Sequence, residues 1–453
     1  MLKQIAHEID KKGWRAFLVG GSVRDAVMGI EPKDADVEVF GISAPELVDL
    51  LGHFGRVDMV GASFGIIKMW AGGQDFDFSL PRRESKTGQG HKGFMVDLDE
   101  SLSPEEASAR RDFTWNAMMQ DIITGETFDF FGGTEDIEAR VIRATSRFFR
   151  DDSVRVLRGF QFAGRFEMEV EPETAAMCAG MFDMLADESV ERVWTEFEKW
   201  AVKSVRPSFG LRFLRDTTWI KHFPEAEALV GLAQDRGWHP EGDTFEHTCQ
   251  SVDIASEIAT REGLSSEDRM VLVFAALCHD FGKAGTTTFD DDGHIRSRAH
   301  DEAGVEPTRS FMARIGAPEG LVERVVPLVR EHMFHVHTRQ PTARSIRRLS
   351  VRMGPASIKM LAWVMECDHS GRGPLPKGAP KFVTQMVEMA EAEHCREEKV
   401  PQILMGQDLI DHLGLRPGRE FGVILKAAFE AQLEGEFSTK EEAVEWAREF
   451  IAP

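Results

Sequence analysis

The strongest constraint on this chain lies in residues 16–41, AFLVGGSVRDAVMGIEPKDADVEVFG, where a glycine turn, an Arg-Asp pair and a run of alternating acids follow in order. Phe17 to Val19 is a short apolar run, Gly20-Gly21 lets the backbone approach a ligand closely, and Ser22-Val23-Arg24-Asp25 opens a helix whose N-terminus favours phosphate. Beyond the Gly29 turn, DADVEVF alternates, so Asp34, Asp36 and Glu38 share one strand face while Ala35, Val37 and Val39 share the other. Two carboxylates at i and i+2 on a strand suit Mg²⁺, which takes oxygen ligands and leaves room for substrate phosphates. Standing alone, the acids would read as the solvated face of a half-buried strand; the glycine turn and Arg-Asp pair ahead of them point to a triphosphate site instead.

At 453 residues the chain has length for roughly three domains. Its five cysteines form no CxxC pair, so neither a disulfide framework nor a cysteine zinc site is indicated, and a reducing cytoplasm fits. The N-terminus MLKQIAHEIDKKGWR lacks a signal-peptide core, and no run reaches the ~18 apolar residues of a membrane span. A net charge of −22 argues against generic polyanion binding. Locally, residues 139–166 hold seven Arg against Asp151 and Asp152, and residues 339–381 hold nine Lys or Arg against Glu366 and Asp368. Two basic islands in an acidic chain suggest a nucleic acid held at chosen places, with solvated helix faces as the competing explanation. The chain has no Tyr beside 32 Phe and 9 Trp, so no phenol can serve in catalysis.

The pattern predicts an α/β (α+β) head with a small mixed sheet over 1–135, with strands near 16–19, 35–40, 65–70 and 75–80. All-α domains follow. A helical neck spans 136–235, with amphipathic stretches at SVRVLRGFQFAGRF and ESVERVWTEFEKWAV. The Gly/Pro-rich break RGWHPEGDT opens a histidine-rich segment, 236–378, and a helical tail occupies 379–453.

The order glycine turn, Arg-Asp, DxD resembles the first motif of the class II nucleotidyltransferases, the family of tRNA CCA-adding enzymes and bacterial poly(A) polymerases. The resemblance implies catalytic carboxylates at Asp34 and Asp36, with Gly20, Gly21, Arg24 and Asp25 at the nucleotide. In QDFDFSLPRRE, Asp77 falls where the family places its third carboxylate, although Asp75 shares its strand face. Residues 84–109 are polar and Gly-containing and resemble the flexible loop of enzymes able to add the terminal A. RRDFTWNAM resembles the family's RRDxTxNA motif: Arg110 and Arg111 suit phosphate, Asp112 the ribose hydroxyl, and Asn116 completes the motif, with Trp115 where an aliphatic residue is usual.

In RDDSVRVLRGF, Asp152, Arg155 and Arg158 are spaced by three and on a helix would line one face. Ionised Asp only accepts hydrogen bonds and Arg only donates. Cytosine and adenine each set an amino donor beside a ring-nitrogen acceptor, whereas uracil and guanine set a carbonyl beside an N–H. An Asp-Arg pair therefore accepts C and A, and leaves U and G with unpaired groups at ~1–3 kcal/mol per lost buried bond. A structural ion pair along the helix is the competing explanation. The segment resembles the family's EDxxR motif, with Asp151 where Glu is usual.

In the third segment His247, His279-Asp280, His300, His332 and Asp368 follow in order. The series resembles HD-superfamily phosphohydrolases, whose metal ligands come from several helices. It implies a divalent ion (Mg, Mn, Ni or Fe) on His247, His279, Asp280 and Asp368, with His300 and His332 as ligands of a second ion. The tail also resembles C-terminal segments of family members. Together these likenesses imply a cytoplasmic enzyme that adds C, C and A to tRNA 3′ ends from CTP and ATP with Mg²⁺, with phosphatase or 2′,3′-cyclic phosphodiesterase activity at its HD site. Three alternatives stand beside it: an A-adding enzyme or poly(A) polymerase, an HD phosphohydrolase with a nucleotide-binding head, and an RNA-binding protein with both sites vestigial.

Overall fold

The computed structural model describes residues 1–32, 35–60, 66–86, 94–291 and 293–452, which part into two compact units, Met1–His222 and Phe223–Pro453. Residues 223–235, read from sequence with the neck, are thus compact with the second unit.

The first unit is built on a seven-stranded mixed sheet in the order β3-β4-β5-β2-β1-β8-β9. The strands are β1 (Arg15–Val19), β2 (Asp36–Phe40), β3 (Arg56–Val60), β4 (Ile66–Ala71), β5 (Gln74–Ser79), β8 (Met119–Asp121) and β9 (Thr127–Phe128); β6 (Arg82–Lys86) and β7 (Phe94–Leu98) pair apart as a hairpin. Period-two alternation sorts the side chains. Val37 and Val39 enter a core with Phe78, Ile67 and Met69, sealed by Ile5 and Ile9 of the helix Leu2–Asp10 and by Leu47 and Leu51 of the helix Ala44–Gly52. The opposite face of β1 and β2 carries Phe17, Val19 and Phe40 in a second cluster, and beside it the acids of β2. Among the described residues of this sheet only β2 and β5 run parallel, with Asp36 in register with Asp77. The fold class read from the sequence therefore stands, a mixed-sheet head followed by helices.

The stretch 84–109, expected as one loop, differs. Arg82–Lys86 pairs with Phe94–Leu98, and Pro104–Ser108 is helical behind a capping box in which Ser103 and Glu106 satisfy each other's backbone N–H. Residues 87–93, within the expected loop, lie outside the described residues, as does Asp34.

The neck helices Val154–Phe166 and Val190–Lys203 bury the apolar faces read from their periodicity: Phe160 stacks on Trp200 at 5.2 Å between ring centroids. Head and neck share an aromatic cluster. Trp115 is fully buried, stacked on Phe113 at 5.1 Å and edge-on to Phe162 at 4.9 Å. Among the described residues the regular elements of the second unit are helices and one short hairpin, Thr287–Phe289 with Ile295–Ser297. Among the described residues no helix is long and apolar enough to cross a membrane.

Candidate active sites

A cavity of about 750 Å³ opens in the first unit between the sheet and the neck. Asp36 and Asp77 line one side, and Asp152, Arg155 and Arg158 another, with Arg110, Arg111 and Asp112 between them. The alternation that buries Val37 and Val39 presents Asp36 to the cavity, and the parallel register sets Asp77 beside it, 3.6 Å from Lys68 Nζ. Asp77 lines this cavity and Asp75 does not. Carboxylates on neighbouring strands at an open cavity supply the hard oxygen donors that Mg²⁺ takes. Glu38, one step farther along β2, is buried and accepts from Arg111 Nη2 at 2.8 Å.

Gly20 has φ +66°, a backbone conformation that favours glycine, and a Cβ there would lie a tight 3.1 Å from Arg111 Nη1. Arg24, Asp25 and Asn116 are not among the residues that line the cavity. Arg24 is 5% exposed, pairs with Asp25 at 2.5 Å, donates to Asn116 Oδ1 at 2.8 Å and lies over the Phe166 ring at 4.9 Å. Burial lowers its pKa, against the pull of Asp25. Asn116 in turn donates to Asp112 Oδ1 at 3.0 Å, and Arg158 Nε donates to Asp112 Oδ2 at 2.7 Å. Burial works against ionisation of Asp112, but Arg158 and Asn116 hold its carboxyl below the usual range.

The expected single helical face over Asp152, Arg155 and Arg158 is corrected in one respect. The helix begins at Val154 behind the cap Ser153, and Asp152 precedes it in extended conformation, φ −135° and ψ 114°. Asp152 pairs with Arg192, not with Arg155, whose Nη1 and Nη2 donate to the carbonyls of Phe148 (2.7 Å) and Arg110 (2.8 Å). The reason lies in the 3₁₀ turn Arg147–Asp151, which breaks the helical period one residue before Asp152.

In the second unit the six histidine-segment residues converge. His247 sits on the helix Thr244–Arg261 and Asp368 on Ile358–Ser370; His279 and His332 cap the helices Ser266–Cys278 and Glu319–Glu331, and His300 starts a short helix. His247 Nε2 lies 3.2 Å from His279 Nε2, 3.2 Å from Asp368 Oδ1 and 3.7 Å from Asp280 Oδ2. On the other side of Asp280, His300 Nε2 is 3.3 Å from Oδ1 and 3.1 Å from His332 Nε2. Asp280 thus belongs to two donor groups, one with His247 and His279 and one with His300 and His332, each within 4.8 Å.

The Nδ1 atoms of His279, His300 and His332 face the carbonyls of Ala276, Ser297 and Val329 at 2.6–2.8 Å. A carbonyl only accepts, so Nδ1 carries the proton and the Nε2 lone pair points inward. Burial pushes His332 down to about 3. Burial also opposes charge on His247, but Asp368 and Glu241 beside it lift it to about 9. Four imidazoles and two carboxylates in this arrangement fit one or two divalent ions. Gly282 makes the approach possible, because a Cβ there would stand 2.0 Å from the His300 carbonyl oxygen.

Three comparisons bear on this geometry. A poly A polymerase head domain matches residues 16–143, an HD domain residues 244–359, and the Probable RNA and SrmB-binding site of polymerase A residues 167–229. The Multifunctional CCA protein of Xanthomonas campestris pv. campestris (strain B100) is 36% identical over 368 residues, covering 79% of this chain and 85% of the relative. The chain belongs to the multifunctional CCA protein family. Another relative of that name, from Xylella fastidiosa (strain M12), is 33% identical over 374 residues, with 79% and 84% covered. Two solved structures share the fold of this multifunctional CCA protein family member. The Bacillus stearothermophilus CCA-adding enzyme in complex with CTP has a TM-score of 0.62 at 19% identity over 99% of this chain and 96% of that one. The Thermotoga maritima CCA-adding enzyme complexed with tRNA-CCA has 0.62 at 18% over 99% and 94%.

Sequence reasoning missed four groups at the sites of this family member. Arg192 meets Asp152, and Glu196 lines the same cavity with its Oε2 buried and, among the described residues, without a hydrogen-bond partner. Glu241, inside the Gly/Pro-rich break, lies 2.8 Å from both His239 Nδ1 and His247 Nδ1 through one oxygen. Lys283 Nζ reaches Asp280 Oδ2 at 2.7 Å and donates to Gln234 Oε1 at 2.7 Å. Lys283 alone left a signal, its i+3 spacing from Asp280.

Proposed function

We propose that this chain adds C, C and A to tRNA 3′ ends from CTP and ATP without a nucleic acid template, in the cytoplasm. The observation that carries the reading is the one cavity in which a carboxylate pair, Asp36 and Asp77, faces a base-reading group, Asp152 and Arg155. The relatives' name and the solved structures with CTP and tRNA support it. Asp36 and Asp77, with Asp34 by resemblance, would hold Mg²⁺. Bound there, the ion would lower the pKa of the attacking 3′-hydroxyl and neutralise charge on the leaving pyrophosphate. The chain's own residues do the rest by positioning. Arg110 and Arg111 neutralise the triphosphate, Gly20 and Gly21 let the backbone come close to it, and Asp112 offers its remaining Oδ2 lone pair to the ribose. Asp152 accepts from the amino group of cytosine or adenine, and Arg155 donates to the ring nitrogen beside it. Arg24, Asp25 and Asn116 support Asp112 from behind.

The HD centre in this reading hydrolyses phosphate monoesters or 2′,3′-cyclic phosphates at RNA ends. His247, His279, Asp280 and Asp368 would hold one divalent ion and His300 and His332 a second, of Mg, Mn, Ni or Fe. Such an ion would supply an activated water at neutral pH. The imidazoles and the two carboxylates would hold their donor atoms in place for it, the ion taking the place of the His247 Nε2 proton.

The test incubates the protein and Mg²⁺ with tRNA transcripts ending before C74, after C75 or in full CCA, each with single NTPs and with CTP plus ATP. Conversion of the shortest transcript to one ending in CCA, and no further, is the expected result. Extension by ATP only would make it an A-adding enzyme, and no extension would overturn the reading. Separately, a variant lacking His279 and Asp280 that still opened 2′,3′-cyclic phosphate would sink the HD assignment.

A further inference from the structure

The break RGWHPEGDT and the hairpin of Thr287–Phe289 with Ile295–Ser297 meet beside the HD centre, joined by Asp235. Its Oδ2 lies 2.7 Å from His294 Nδ1, and its Oδ1 accepts from the Gly237 N–H at 2.9 Å. Its carbonyl accepts from the N–H of Trp238 at 3.1 Å and from that of His239 at 2.8 Å. Both segments are rooted at the histidine cluster. His239 follows Trp238 directly, with its ring 4.8 Å from that of His247 and its Nδ1 2.8 Å from Glu241 Oε1. At the foot of the hairpin Thr287 Oγ1 donates to the Lys283 carbonyl at 2.8 Å, and the Ser297 carbonyl faces His300 Nδ1 at 2.7 Å.

At this junction stand the two most exposed Phe or Trp side chains among the described residues, Trp238 at 69% and Phe289 at 71%. Phe289 pairs across the hairpin with Ile295, the residue after His294, so the two rings stand on either side of the Asp235–His294 contact. Single exposed apolar side chains are ordinary on a protein surface. Two aromatic ones at one hydrogen-bonded junction, on the rim of a cluster suited to metal, point to a ligand. The neighbouring charges say which kind. Arg236 and Arg298 are exposed and have no acidic partner among the described residues, whereas Arg296 is paired with Asp290, and Asp291 stands at the far, turn end of the hairpin. Aromatic faces interleaved with unpaired guanidiniums suit unpaired nucleotides, because every base has a face to stack and arginine takes phosphate. An apolar protein surface would not need the cations, and a free phosphate would not need the rings.

We propose that Trp238 and Phe289 form a stacking rim that seats the last unpaired bases of an RNA 3′ end, with Arg236 and Arg298 on the adjoining phosphates and the terminal phosphate at the HD centre. The inference rests on the HD reading above and adds its substrate class, a single-stranded RNA terminus rather than a small phosphate ester. The support of the indole is stiff, since three successive N–H groups, those of Gly237, Trp238 and His239, donate to Asp235, and so little freedom is lost when a base lands on it.

The experiment takes the full chain loaded with Mn²⁺ or Ni²⁺ and measures hydrolysis of two substrates. One is a short single-stranded RNA ending in a 2′,3′-cyclic phosphate; the other is glycerol cyclic phosphate, which carries the same strained ring without a base. The proteins are the wild type, Trp238→Ala, Trp238→Phe, Phe289→Ala and the double variant Trp238→Ala/Phe289→Ala. Each single alanine variant is expected to raise KM for the RNA about tenfold with kcat kept, and the double variant to raise it further. Trp238→Phe, which keeps a ring, should cost less than Trp238→Ala. None of the variants should alter kcat/KM for glycerol cyclic phosphate. An RNA KM unmoved in either alanine variant would overturn the proposal, and so would an equal fall on both substrates, which would make these residues props of the histidine cluster. Phe289→Ala carries the test should Trp238→Ala fail to fold. A wild type that hydrolyses neither substrate sinks the HD reading and this inference with it; a wild type that opens the RNA terminus while the alanine variants keep its KM sinks only the rim.

Discussion

Arg158 Nε lies 2.7 Å from Asp112 Oδ2 and joins the RRD segment of the head to the first long helix of the neck. Asp112 is 7% exposed and its other oxygen is taken by Asn116 and by the Phe113 N–H. The pair therefore works in two ways: it anchors the neck on the sheet, and it leaves one acceptor position of Asp112 facing the cavity.

Replacing Arg158 by Ala should destabilise the first unit, because a buried carboxylate loses its cation. Arg158 is itself 36% exposed at the side chain, so water replaces part of what is lost. The expected cost is about 1–3 kcal/mol, read as a lower urea midpoint with an unchanged m-value. An unchanged midpoint would mean the pair contributes nothing to the anchoring.

The same pair predicts a pH dependence. Asp112 has a folded pKa below its ordinary value of 3.8, because Arg158 and Asn116 outweigh burial. A depressed carboxylate gives stability that is fully present above the unfolded pKa and is lost as pH falls through the folded one. The stability advantage of the wild type over Asp112→Asn should therefore hold from about pH 5 upward and shrink below about pH 4. An advantage that grew with acidification would contradict the assignment.

Much of this was legible in the sequence where the signal is local. Alternation over DADVEVF placed Asp36 and Val37 on opposite faces, and a strand keeps that period whatever surrounds it. The choice between Asp75 and Asp77 was not local, since it depends on the register of β5 against β2. β3 and β8 were missed because RVDMV mixes charge with apolar residues and MQD is too short to show a period. The histidine series was readable as ordered ligands, whereas Glu241 reaches His247 only because the break RGWHPEGDT folds back on the helix it precedes. Arg192 was invisible for the same reason: forty positions separate it from Asp152.

Asp36→Asn should abolish nucleotide addition while leaving HD hydrolysis intact. A metal clamp on a transferring nucleotide is worth several kcal/mol, so a loss of about 10³-fold in kcat is expected. The fold should survive, because Asp36 is exposed on β2 and the core contacts of that strand come from Val37 and Val39. The check is a single-turnover CTP addition assay beside 2′,3′-cyclic phosphate hydrolysis on the same preparation. Loss of both activities together would point to misfolding rather than to a carboxylate at the head site.

Glu241 gives the last prediction. Its Oε1 is 2.8 Å from His247 Nδ1, and burial, which would raise its pKa, is outweighed by His239 and His247, so the carboxyl is held at about 2. It is therefore ionised at neutral pH and accepts the Nδ1 proton, which aims His247 Nε2 at the donor group, where a bound ion would displace the Nε2 proton. Glu241→Gln keeps the shape but offers a neutral amide, which fixes the tautomer less firmly and makes the imidazole a weaker donor. Partners of this kind alter metal affinity by about 10–100-fold. Titration of the chelator-stripped protein with Mn²⁺ or Ni²⁺ should show that loss in Glu241→Gln, with CTP addition at the head unchanged. Equal metal affinity in the two proteins would mean that the Gly371 carbonyl, 3.1 Å from the same nitrogen, orients His247 without help.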